Sequence, residues 1–157
     1  MTVFVLAATL LSRLMLVLLF MPFSALDKLV DFGGAVAQAE EHIGSKRIAG
    51  AMIVAGLFVE VVMSLGVLTG FADRLCAFVL AGYCVVTALA WKRFWATGDL
   101  TLVGPSTGRN LFWDFLKNFA VAGGFLLVTF GGHARDAHAF LRAPLSSSEP
   151  YRLGDGR

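Results

Sequence analysis

Four long apolar runs, separated by shorter polar stretches, organise this chain. The second, Ile48–Gly70, carries one carboxylate, Glu60, near its middle. Crossing the hydrocarbon core of a bilayer takes roughly 20 apolar residues of helix, and this run is that long. Gly56, Glu60 and Ser64 recur every four residues and share one helix face. A charge inside a bilayer persists only where it faces protein or water. Small residues at this spacing admit a close neighbouring helix. The pattern predicts a membrane helix whose Gly56/Glu60/Ser64 face looks inward.

The other runs extend the picture. Helices are expected near Val3–Phe23, Ile48–Gly70, Leu75–Trp91 and Leu111–Gly131. Pro22 is placed to close the first. The stretch Ser24–Lys46 holds Asp27, Lys28, Asp31, Gln38, Glu40, Glu41 and His42. It is too polar for lipid and predicts a connection with a short interfacial helix. The turn Thr69–Arg74 is short enough to make the second and third helices antiparallel neighbours. Trp91-Lys92-Arg93-Phe94-Trp95 mixes aromatic and basic residues as a membrane–water boundary does. Ala96–Asn110, with Gly98, Gly104, Pro105 and Gly108, reads as a loop. The expected architecture is an all-α, antiparallel four-helix transmembrane bundle over residues 1–132, followed by a polar, flexible tail over 133–157.

Composition sharpens this. Hydrophobic residues make up 57% of the chain and charged residues 15%, against about 25% charged in soluble domains. A transmembrane barrel is excluded, because barrel strands alternate apolar and polar positions and these runs are continuous. The first run is not read as a cleaved signal peptide. No positive charge precedes it, Arg13 interrupts it, and Phe23-Ser24-Ala25 is a poor cleavage site. The net charge of +2 and the scattered basic residues give no sign of a nucleic-acid partner. Cys76 and Cys84 lie about 12 Å apart along one helix, beyond disulfide reach, and read as small core residues. His42, His133 and His138 lie outside the spans without ligand spacing, so no metal is expected.

The candidate chemistry lies in the remaining polar residues. An antiparallel bundle puts Asp27, Lys28, Lys92, Arg93, Asp114, Lys117 and Asn118 at one membrane face. Asp114, Lys117 and Asn118 share a helix face at i, i+3 and i+4, and Asp114 or Asp27 should lie within salt-bridge reach of Lys117. Glu60 falls about 18 Å from the start of its helix and Arg13 about 15 Å from the corresponding end of the first. That matched depth predicts an Arg13–Glu60 ion pair. The pair either locks helix packing or floors a polar pocket opening toward Asp27, Lys28, Lys92 and Lys117. Trp91, Phe94, Trp95, Phe112 and Trp113 would ring the mouth, as interfacial anchors or as a seat for a flat amphipathic ring such as a quinone.

Several of these residues carry a family resemblance. Asp27-Lys28-Leu29, Glu60 in a Gly-rich second helix, Leu68-Thr69-Gly70 before Arg74, Arg93-Phe94-Trp95, and Phe115-Leu116-Lys117-Asn118 followed by Gly123-Gly124 resemble the DoxX family over roughly Leu11–Phe130. The resemblance implies a small four-helix protein of the bacterial inner membrane. Some relatives are subunits of quinone-linked oxidoreductases, and others are accessory partners of redox or stress enzymes. One departure is Lys92, where family members often carry His.

The expected function is a quinone-interacting or accessory membrane subunit of a redox complex. Glu60, Lys92, Lys117, Asn118, Asp27 and Lys28 are the ligand-binding candidates, with Lys92, Lys117 and Asn118 donating to a carbonyl. The chain has no haem, flavin or iron–sulfur motif, so a protein partner would supply electrons. The alternatives are a non-catalytic scaffold, as a homo-oligomer or with another protein, and a small-molecule transporter. The last is weakened by the lack of an internal repeat.

Overall fold

The computed structural model describes residues 2–101, 103–131 and 134–152, so His133 and Gly154–Arg157 lie outside it. Its helices are α1 (Thr2–Val17), α2 (Ala25–Val30), α3 (Phe32–Ile43), α4 (Lys46–Phe58), α5 (Ser64–Thr69), α6 (Asp73–Trp91), α7 (Thr107–Phe130) and α8 (Ala134–Arg142). Two π-helical turns, Leu19–Ser24 and Val59–Met63, join α1 to α2 and α4 to α5. Four stretches are long and apolar enough to cross a membrane: Val3–Val30, Lys46–Thr69, Asp73–Ala96 and Thr107–Phe130.

These spans expose large apolar side chains, among them Phe4, Met15, Val54, Phe58, Val86 and Leu127. In water so much exposed apolar surface would be an aggregation liability, whereas lipid tails match it. The chain is an all-α, multi-pass membrane protein, an antiparallel bundle of four spans. Val17, Phe20, Val67, Leu80, Cys84 and Phe125 meet in its core. The Phe20 ring packs edge-on to Tyr83 and tilted against Phe125. Cys76 and Cys84 are buried and unbonded.

The first span runs past the point where Pro22 was expected to close it. Pro22 sits inside the first π-helical turn, where Met21 leaves helical dihedrals (φ −126°, ψ 116°). A proline removes a backbone donor and crowds the preceding turn, yet the helix resumes at Ala25. Ser24, Asp27 and Lys28 therefore belong to the first span. Helix α3, in the polar connection, starts where the Asp31 side chain accepts from the Gly34 N–H at 2.9 Å. It ends at left-handed Gly44 (φ 74°). Its Val36 and Ala39 pack on Ala49 of α4.

The fourth span also starts early, at Thr107 instead of Leu111, because its first turn is capped twice. The Ser106 hydroxyl accepts from Arg109 N–H at 3.1 Å, and the Asp99 carboxylate accepts from Thr107 and Gly108 N–H at 2.9 and 2.8 Å. Both oxygens of one loop carboxylate thus serve the helix start.

Among the described residues, part of the stretch expected as a flexible tail packs on the bundle. Phe140 of α8 is buried against Phe78 and Phe130, with ring centroids 5.5 Å from each. The segment after α8 then folds back over the turn between the second and third spans. Ser148 hydrogen-bonds Asp73 through its N–H (2.8 Å) and its hydroxyl, and Tyr151 O–H donates to the Leu68 carbonyl. Specific polar anchors order a stretch whose composition alone reads as disorder.

Candidate functional site: a membrane-embedded cavity floored by Glu60

A cavity of about 1290 Å³ reaches from the middle of the second span to the ends where the four spans meet. All six ligand candidates, Asp27, Lys28, Glu60, Lys92, Lys117 and Asn118, line it, and so does Asp114. They come from all four spans, far apart in sequence, and the antiparallel topology gathers them. Helix α3 adds one side of the opening through Gly34, Gln38 and Glu41. Deeper walls are apolar or aromatic: Leu19, Phe20, Val59, Val86, Trp91 and Val121.

Glu60 sits in the second π-helical turn and is 1% exposed. Its neighbours in the pattern, Gly56 and Ser64, are buried too, so that face does look inward. Three donors converge on Glu60 Oε1: Lys28 Nζ at 2.5 Å, Tyr83 O–H at 2.8 Å and Ser24 O–H at 3.1 Å. Lys28 also donates to Ser24 Oγ at 2.7 Å, which orients that hydroxyl toward the carboxylate. The Lys28 ammonium and the Glu60 carboxylate form a salt bridge within the span. Its other oxygen, Oε2, is buried and has no hydrogen-bond partner among the described residues.

At the opening, Asp114 holds both lysines, with Lys92 Nζ and Lys117 Nζ each 3.3 Å from one of its oxygens. Lys117 is 75% exposed, so it snorkels. Asn118 donates to the Asp114 backbone carbonyl at 3.2 Å. Asp27 is exposed at the rim. Of the five aromatics expected around the mouth, only Trp91 lines the cavity. Phe94 instead packs edge-to-face on Trp95, Phe112 and Phe115.

The expected Arg13–Glu60 pair is corrected. Arg13 reaches Asp73 Oδ2 at 2.7 Å, the Val67 carbonyl at 2.6 Å and Ser148 Oγ at 2.8 Å. Arg13 and Asp73 are 7% and 0% exposed. The matched depth was counted from Phe23, but the first span runs on to Val30. That places Lys28 beside Glu60 and Arg13 beside the turn at the opposite end of the bundle. Among the described residues there are two polar centres, one toward each end. Tyr83 and Ser24 were not among the sequence candidates. A tyrosine inside an apolar run was the available signal, and Gly56 is the complementary one: a Cβ there would stand 3.0 Å from the Tyr83 hydroxyl.

A four-span bundle with a charged cavity between its helices is an integral membrane protein built around an internal polar site. The chain belongs to the DoxX family, whose sequence profile matches residues 8–93. That match contains Lys28, Glu60, Tyr83 and both members of the Arg13–Asp73 pair, and ends before the fourth span. Inner membrane protein YphA of Escherichia coli (strain K12) is 32% identical over 123 residues, covering 78% of this chain and 81% of its own length. Inner membrane protein YqjF of the same organism is 25% identical over 123 residues, covering 78% and 82%. No solved structure matches the chain. It is a multi-pass protein of the inner membrane.

Proposed function

We propose that this protein is a membrane subunit of a redox complex and that its cavity seats the ring of a quinone. The observation that carries this reading is a salt bridge between buried Glu60 and half-buried Lys28 at the floor of a cavity of about 1290 Å³ within the membrane span. Ionisable residues in membrane spans are costly and mark functional paths, and a largely apolar cavity with a few convergent polar groups is the usual form of a small-molecule site. Phe20, Tyr83 and Trp91 offer ring-sized walls, and Glu60 Oε2 and the remaining Lys28 donor offer one acceptor and one cation. The residues present therefore fit a quinone head group, with Leu19, Val86 and Val121 meeting its apolar part.

A bound quinone would supply a carrier of two electrons and two protons. The chain's own part is to orient the ring, to hold a proton acceptor at Glu60, and to keep that acceptor away from lipid. Electrons would come from a partner protein docked on the bundle. The test is organic extraction of protein purified in mild detergent. Quinone should be recovered in a defined ratio from the parent and be lost from Glu60→Leu that elutes as a folded, monodisperse species. A folded parent from membranes rich in quinone that yields none would overturn the reading.

A further inference from the structure

Resting on the quinone reading of the cavity, we infer that the site selects the reduced, dihydroxy form of the ring over the oxidised, dicarbonyl form. The argument is one of donors and acceptors. A ring carbonyl only accepts hydrogen bonds, whereas a ring hydroxyl both donates and accepts. At the floor, Glu60 is an acceptor with Oε1 filled by three donors and Oε2 without one. A hydroxyl satisfies Oε2, and its oxygen can still accept the N–H that Lys28 does not give to Ser24 or Glu60. A carbonyl in the same place would set its lone pairs against those of the carboxylate and leave Oε2 buried and unsatisfied, the costly outcome for a polar group. Binding in this way requires the Glu60 carboxylate to turn about its last bond so that the buried Oε2 meets the ring.

The opening reinforces this polarity. The donors expected to hold a carbonyl there each give one N–H within the protein: Lys92 and Lys117 to Asp114, and Asn118 to a backbone carbonyl. The same opening carries the further acids Asp27, Asp31 and Glu41. This reverses the sequence-based expectation, which put cationic donors on a ring carbonyl.

The test is anaerobic equilibrium dialysis of the detergent-purified protein against decylubiquinol, kept reduced, and separately against decylubiquinone. The parent should bind the reduced form about tenfold more tightly or better, the size of one hydrogen bond to a charged group. Glu60→Gln should reverse the order, because its amide oxygen can take the three donors while its NH₂ donates to a carbonyl. A folded Glu60→Gln that still prefers the reduced form also overturns this inference, and the parent's own comparison of the two forms keeps the test open if that variant does not fold. Equal or tighter binding of the oxidised form by the parent overturns this inference and leaves the cavity reading intact. No binding of either form by folded parent overturns both.

Discussion

Arg13 and Glu60 are each deep in a span, and each is neutralised by a different neighbour. Arg13 has Asp73, and Glu60 has Lys28. Removing one partner of a buried pair strands the other charge. Asp73→Asn should therefore cost about 3–5 kcal/mol of stability, read from reversible unfolding in detergent. Because the two centres share no residue, Asp73→Asn combined with Glu60→Gln should be additive within about 0.5 kcal/mol. Arg13→Met with Asp73→Asn should cost clearly less than the sum of its parts, since neither charge is then stranded. Strong coupling between the Asp73 and Glu60 sites would restore the single-pair picture. At this scale the inward face of Glu60 was legible from four-residue spacing and the Asp114–Lys117 contact from three-residue spacing. The partner of Arg13 was not, because depth depends on where a helix ends, and Pro22 gave a false end. Tyr83 was missed because an aromatic in an apolar run reads as packing.

The spans are held at their close approaches and at their ends. A Cβ on Gly66 would lie 2.3 Å from Cys76 Sγ and 3.1 Å from the Phe71 carbonyl oxygen, whereas one on Gly82 meets nothing within 4 Å. Gly66→Ala should then destabilise by about 1–3 kcal/mol through overpacking. Gly82→Ala should stabilise by about 0.5–1 kcal/mol, because alanine loses less backbone freedom in a helix. Equal effects would mean the α5–α6 contact is looser than described. At the start of α7, the Thr97 hydroxyl, then the Gly108 and Thr107 N–H groups, hold the Asp99 carboxyl below its ordinary value. A lowered folded-state value contributes stability that is full above the ordinary aspartate range and is lost as pH falls through the folded value. Asp99→Ala should lower Tm at pH 7, and its gap to the parent should close under acid conditions. A gap independent of pH would show that the cap does not depend on the charge. Spanning helices were legible because hydrophobic length is a strong signal. The end of the first span and the start of the fourth were not, since the passage through Pro22 and capping by Asp99 depend on side chains beyond the apolar run.

Across the whole molecule, the antiparallel order of four spans makes two ends with different work. One is closed: Arg13, Asp73, Ser148 and Tyr151 tie the turn after α5 to the segment following α8. The other carries the cavity, with Glu60 at its floor. The gathering of Asp27, Lys28, Lys92, Asp114, Lys117 and Asn118 followed from topology alone and was legible. The folded-back segment was not, because serine, proline and a single tyrosine carry no periodicity from which docking can be read. The central claim is that the cavity, and not the lipid-facing surface, is where a ring ligand is held. Photolabelling with a short-chain azidoquinone in native membranes, followed by peptide mapping, tests it most directly. The account predicts label within Leu19–Lys28, Val59–Glu60 or Tyr83–Trp91, removed by excess unlabelled quinone. Label spread over outward residues such as Phe4, Met15 and Leu127, and indifferent to competitor, would contradict it.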